Sequence, residues 1–157
     1  MVKGVMPKKR MTISKLKKKV WSACSIFIRK SYADNFGYVY CYTCGKRMQI
    51  KEAQAGHGFA GRSKAVLFML DIIKPQCFGC NCCASGRLDV FTYKLRKEYG
   101  NERFDYLYKQ AHTNQGQWRA EELQEWLEYF QLKGGTTPPK RGKDATYPPK
   151  NRNKGLS

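Results

Sequence analysis

Two Cys-x-x-Cys turns set the chemistry open to this chain. The first is Cys41-Tyr42-Thr43-Cys44, followed by Gly45; the second is Cys77-Phe78-Gly79-Cys80, followed by Asn81. Each turn presents two sulfurs to one ion, and two such pairs complete the tetrahedral set of a structural zinc site. A redox dithiol accounts for one pair but not for two, and neither pair opens a helix in a βαβ context. Between Cys44 and Cys77 lie 32 residues, more than a zinc ribbon needs. The excess leaves room for a folded insert. Within it lies Ala55-Gly56-His57-Gly58-Phe59, which carries one of the two histidines of the chain. Three further cysteines compete for the role of ligand. Cys77 and Cys80 are preferred to Cys82 and Cys83 because they repeat the spacing of the first pair. Cys82 and Cys83 read as core or helix-start thiols, and Cys24 as a core residue. The second histidine, His112, reads as a surface residue near a helix end.

The elements that must hold these groups are legible from periodicity. From about Thr12, Ile13, Leu16, Val20, Cys24, Phe27 and Ile28 fall at helical steps, leaving Lys15, Lys17, Lys18 and Lys19 on a basic face. Asp34-Asn35-Phe36-Gly37 stops that helix. Tyr38-Val39-Tyr40-Cys41 reads as a short strand into the first turn, and Met48-Gln49-Ile50 as the strand leaving it. Gln54 to Phe59 reads as extended, and Arg62 to Leu70 as a loop or short helix. Ile72-Ile73-Lys74-Pro75 leads into the second turn as a brief strand that Pro75 confines to an edge or strand end. Beyond Asn81, Leu88, Phe91, Leu95 and Tyr99 make a helical stripe ended by Gly100. Asn101 is expected to cap a second helix with Phe104, Leu107, Tyr108 and Ala111. A third, from about Gln117 to Leu132, turns Leu123, Trp126, Leu127 and Phe130 inward and Glu121, Glu122, Glu125 and Glu128 outward, and Gly134-Gly135 ends it. A turn, a hairpin and a second turn that starts a helix is the layout of a treble-clef finger.

Composition narrows the partner. The 157 residues suffice for one domain with a modest core. Residues 1–11 read as a basic arm, 12–135 as the folded domain and 136–157 as a flexible basic tail. A net charge of +18 attracts polyanions, nucleic acid first among them. With 10 Tyr, 8 Phe and 3 Trp this is not a disordered polybasic chain. No apolar run approaches the roughly 20 residues of a membrane span, and no secretory signal opens the chain. A reducing, cytoplasmic setting is therefore expected, where paired Cys-x-x-Cys turns read as metal before disulfide.

The order Cys-x2-Cys-Gly, Ala-Gly-His plus an aromatic, then Gln-Cys-x2-Cys-Asn and a Ser-Gly resembles the NinG (Rap) family of lambdoid phages, over roughly residues 12–112. The resemblance implies a recombination endonuclease of the HNH or His-Me finger kind, acting on branched DNA such as a Holliday junction in the infected bacterial cell. The wider layout is similar to phage endonuclease seven, with a four-cysteine zinc and a histidine as base. It implies an α+β fold: a treble-clef zinc core with a ββα-metal site, surrounded by helices. In that enzyme the Asn after the last zinc cysteine binds the catalytic metal, which places Asn81 as a ligand for Mg²⁺ or Mn²⁺. A homodimer is implied by analogy, because junction cleavage needs paired cuts. The chemistry is coherent: an imidazole titrates near working pH and suits a general base. An amide carbonyl is a hard oxygen ligand. Lys15, Lys17, Lys18, Lys19, Arg62 and Lys64 are the expected phosphate contacts.

One departure bears on activity. HNH enzymes commonly carry an acid beside the histidine, whereas here Gly56 precedes His57 and Gln54 stands three back. Glu52 and Asp89 are the nearby acids that can replace it. Without a replacement the rival reading is a zinc-stabilised nucleic-acid binding protein without catalysis, in which His57 supports its hairpin. A basic ribosomal or nucleoid protein is a weaker third.

Overall fold

The computed structural model describes residues 10–132. The tail at 136–157, the Gly134-Gly135 helix end and most of the N-terminal arm lie outside them. The described chain is α+β, with five α-helices and two small antiparallel sheets.

Helix α1 (Ile13–Ser31) begins at Thr12, whose side chain accepts from the Lys15 backbone N–H and so satisfies a helix-start donor. Leu16, Val20, Cys24 and Ile28 of its stripe are buried, while Ile13 is exposed. Asp34 turns the chain by accepting from the backbone N–H groups of Phe36 and Tyr38. Strands β1 (Tyr38–Tyr40) and β2 (Arg47–Gln49) pair with Val39 opposite Met48, and the first cysteine turn joins them. Strand β3 (Gln54–His57) pairs with β4 (Ile73–Gln76), Gly56 opposite Lys74 and His57 opposite Ile73. Short helix α2 (Lys64–Leu67) lies in the connection. The Tyr42 N–H donates to Pro75 O at 2.8 Å and ties the first hairpin to the second.

After the second cysteine turn, a wide helical turn over Gly79–Cys83 leads to α3 (Leu88–Tyr99). Helices α4 (Asn101–Ala111) and α5 (Ala120–Gln131) follow. Gly100, at φ 78°, is the residue before α4, so Asn101 is its first helical residue and not its cap. The Asn101 side chain instead accepts from Arg96. A backbone in the left-handed region suits glycine, and that is why the boundary falls there.

The larger core collects α1, α2, α5 and the aromatic faces of α3 and α4 around Ile72 and Ile73. Among the described residues, the smaller one buries Val39, Cys41, Met48, Ala53 and Cys80, with Ala33, Ile50 and Cys77 packed against them. Two buried aliphatic side chains contribute about 3–6 kcal/mol at most, too little to order a module of two three-residue strands and their turns. The cysteine end of the molecule therefore depends on something besides apolar packing.

Candidate functional site

The Sγ atoms of Cys41, Cys44, Cys77 and Cys80 lie within 4.8 Å of one another. The local backbone explains how they converge. Gly45 takes φ 77°, and its N–H donates to Cys41 O; the Cys80 N–H donates to Cys77 Sγ at 3.4 Å. Each turn thereby curls both sulfurs to one side. Burial opposes ionisation of Cys41, but hydrogen bonds from the Thr43 hydroxyl and the backbone of Cys44, Cys77 and Thr43 outweigh it and hold its thiol down at about 6. At Cys44 the Lys46 backbone N–H favours the thiolate, yet desolvation and the neighbouring sulfurs push the thiol up to about 12. Burial likewise raises Cys77. Cys41 gives up its proton readily, whereas Cys44 and Cys77 hold theirs beside the neighbouring sulfurs. A divalent soft cation removes that conflict, and four thiols in this arrangement fit zinc.

Cys82 and Cys83 stand outside the group and are exposed. They belong to the turn that precedes α3, as helix-start thiols, and not to the core. Cys24 is fully buried in the larger core. His112 is exposed at the end of α4, against Tyr108.

His57 ends β3 and is held on two sides. Its ring stacks on Trp21 of α1, with centroids 4.8 Å apart and planes 19° from parallel. Its Nε2 lies 3.1 Å from Leu67 O. A carbonyl only accepts, so Nε2 carries the proton and the neutral imidazole keeps its lone pair on Nδ1. Burial is the main reason its pKa falls below the ordinary value; the Leu67 hydrogen bond opposes that shift, and the Arg62 charge adds to it. The Arg62 guanidinium sits over the Trp21 ring, 5.3 Å from its centroid. Neither Trp21 nor Leu67 O was marked by the sequence, although Trp21 lies one helical turn beyond Lys17, at a spacing that puts both on one side of α1.

Asn81 lies against the residue before His57. Its Nδ2 donates to Gln54 Oε1 at 2.7 Å, and the Cys82 thiol donates to the same oxygen at 3.1 Å. Adjacent strand residues face opposite ways, so the Gln54 and Gly56 side of β3 faces Asn81 while His57 faces α1. A side chain on Gly56 has no room: its Cβ would fall on Gln76 Oε1 and lie 3.1 Å from Asn81 Oδ1. Gln76 is fully buried. Its Nε2 donates to Gly86 O at 2.8 Å and Thr43 Oγ1 at 3.1 Å, while its Oε1 has no hydrogen-bond donor. An amide pinned over a glycine thus occupies the place where an acid beside the histidine would project. The sequence analysis quoted Gln76 only within the Gln-Cys-x2-Cys-Asn motif and gave it no role, because its burial is set by partners elsewhere in the chain, Thr43 and Gly86.

The expected replacement acids do not fill the gap. The Glu52 carboxylate accepts from the Gln49 N–H and closes a tight turn over Ile50–Glu52. Asp89 stands exposed in the first turn of α3. Of the basic set, Lys15, Lys18, Lys19 and Arg62 are exposed and Lys17 is half-buried. Lys64 is not free for phosphate: its Nζ sits 2.7 Å from Glu122 Oε1 and also donates to Gln117 O. Glu122 correspondingly turns partly inward, and the Lys64 ammonium holds its carboxyl below the usual range against the cost of burial. Lys74 was unmarked as well. It is buried between Tyr32, Tyr42 and Tyr99, with Glu98 Oε1 at 2.8 Å, and Tyr42 donates to the other Glu98 oxygen. That pair fixes α3 to the hairpins.

Among the described residues, no helix is long and apolar enough to cross a membrane. No curated protein and no solved structure matches the chain. The model of one family, described as Bacteriophage Lambda NinG protein, matches residues 5–134, a span that takes in all four clustered cysteines, His57 and Asn81. The chain belongs to the phage NinG family.

Proposed function

We propose that this protein is a structure-selective DNA endonuclease of phage recombination, with a treble-clef zinc core carrying a His-Me finger site. The observation that carries the reading is the state of His57. An imidazole clamped between Trp21 and Leu67 O, with its pKa lowered by burial and its free lone pair on Nδ1, is a general base held ready.

In this reading Nδ1 of His57 takes a proton from water attacking a phosphodiester, and the fixed Nε2–H keeps the ring from turning away. Asn81 offers its Oδ1 as a hard oxygen ligand for Mg²⁺ or Mn²⁺, with Gln54 holding the amide in place. A divalent ion bound there supplies charge stabilisation to the leaving oxygen. Zinc in the four-cysteine group would fix the turn bearing Asn81 relative to β3. Lys17 and Lys18 lie one turn before Trp21 on α1, so a backbone tracking that basic face arrives at His57. Arg62, beside Trp21, is suited to a phosphate near the base. Paired incisions across a four-way junction call for a homodimer.

The experiment is incubation of pure protein with Mg²⁺ and a four-way DNA junction, beside His57→Ala. Metal-dependent cutting that His57→Ala abolishes, with zinc and DNA binding kept, supports the reading. Equal cutting by both proteins, or none with any divalent ion, gives way to a zinc-stabilised DNA-binding protein. The filled space over Gly56, where an acidic ligand has no room, is the observation in favour of that rival.

A further inference from the structure

The β1–β2 hairpin turns aromatic rings outward. Val39 and Met48 point into the smaller core, so their neighbours Tyr38, Tyr40 and Arg47 share the opposite face. Arg47 stands across from Tyr40, and its guanidinium lies over the Tyr38 ring, 3.6 Å from the centroid. Phe36, in the turn before β1, is 84% exposed, and Tyr40 is 59% exposed. Large rings left in water at neighbouring positions mark a surface that a ligand covers. These rings stand on a fixed base. Asp34 Oδ1 accepts from the N–H groups of both Phe36 and Tyr38, so little order has to be imposed when the ligand arrives.

We propose that Phe36, Tyr38, Tyr40 and Arg47 form a stacking face for the unpaired bases of single-stranded DNA. A base stacks on an aromatic ring, a guanidinium adds its cation to the π-face, and Arg47 or the exposed Lys46 meets the phosphate. Bases inside a duplex offer their edges and not their faces, so the ligand is unpaired. A second copy of the chain is the other occupant that such a face can take, but it brings its own net charge of +18. A DNA strand brings the opposite sign. The acid beside the face is Asp34, 3.8 Å from Arg47, with both side chains exposed, and an exposed pair of that length holds the guanidinium weakly. The inference goes beyond the nuclease reading, takes from it only the DNA partner, and holds equally for the non-catalytic rival. The basic face of α1 meets phosphate whether the strands are paired or not; the hairpin distinguishes bases that have lost their partners.

The test is fluorescence anisotropy of a labelled oligothymidylate and of a blunt duplex, each titrated with the zinc-loaded protein without Mg²⁺, so that cutting plays no part. Phe36→Leu/Tyr40→Leu keeps apolar side chains and removes the rings. It should weaken oligothymidylate binding about 5–150-fold for each stacked base lost, with duplex binding and zinc content unchanged. Tyr40→Phe keeps the ring and should bind as the wild type does. Arg47→Lys keeps the charge but loses the flat cation, and should weaken binding of the single strand alone. If the double variant loses zinc, Arg47→Lys decides alone. Oligothymidylate affinity that these changes leave intact overturns the face. So does a loss shared equally by the duplex, which reduces the contact to charge. A wild-type dimer in sedimentation that Phe36→Ser/Tyr40→Ser splits, with single-strand affinity kept, gives the face to a second copy and overturns it as well. The two readings fail separately: loss of the stacking face leaves junction cutting and its dependence on His57 untouched, whereas stacking without cutting removes only the nuclease.

Discussion

Replacing Gly56 by alanine adds one methyl group and should cost the protein a large part of its stability. The added Cβ would fall on Gln76 Oε1, and the amide cannot retreat while Nε2 is held by Gly86 O and Thr43 Oγ1. Moving it breaks both bonds, worth about 0.5–1.5 kcal/mol each in net terms. Leaving the buried Gly86 carbonyl unmatched adds about 1–3 kcal/mol. Alanine recovers about 0.4–1 kcal/mol by restricting the unfolded chain. The balance is a loss of about 1–6 kcal/mol, or about 2–24 °C in Tm for a chain of this size. Urea unfolding of the zinc-loaded protein measures it, with Gly79→Ala as the control, since there only Cys77 Sγ comes within 4.0 Å. The double variant Gly56→Ala/Gln76→Ala should be more stable than the sum of the two single losses by about 1 kcal/mol or more, because the clash is gone. A Gly56→Ala protein within about 0.5 kcal/mol of wild type, or strict additivity in the cycle, would refute the packing argument.

Protein purified under reducing conditions should contain one tightly held Zn²⁺, and chelation should unfold the β1–β2 hairpin while α1 and α5 stay helical; elemental analysis and amide exchange test this. His57→Ala should cut junctions about 10²–10⁴-fold more slowly than wild type. The base works unprotonated and its pKa is depressed, so wild-type cleavage should be level above about pH 6.5 and fall only at lower pH; a midpoint above that value would contradict it. The same depression makes stability decline as pH drops below about 6.5, because the unfolded chain takes up the proton first. Changing Lys17, Lys18 and Lys19 together to Glu should weaken DNA binding and lower its salt slope by about 0.9 per lost phosphate contact; affinity left unchanged would assign these lysines to solvation of the helix alone.

The sequence by itself determined the four-cysteine group that could hold a metal, and most of the elements. Each pair of sulfurs was legible because the Cys-x-x-Cys geometry is local, set in the first turn by Gly45 at positive φ, while the meeting of the two pairs rests on the bond from Tyr42 to Pro75 between the hairpins. Helices α1, α3 and α5 were legible because their buried positions recur at helical spacing. What lay across the fold was not. Lys64 read as a surface cation, yet Glu122, far along the chain, neutralises it. Lys74 read as an ordinary strand lysine, but three tyrosines and Glu98 enclose it. The tautomer of His57 depends on a carbonyl ten residues away and a ring on another helix. The absence of an acid at position 56 was plain in the sequence. Its cause, a buried amide over the glycine, is a contact across paired strands that only tertiary packing decides.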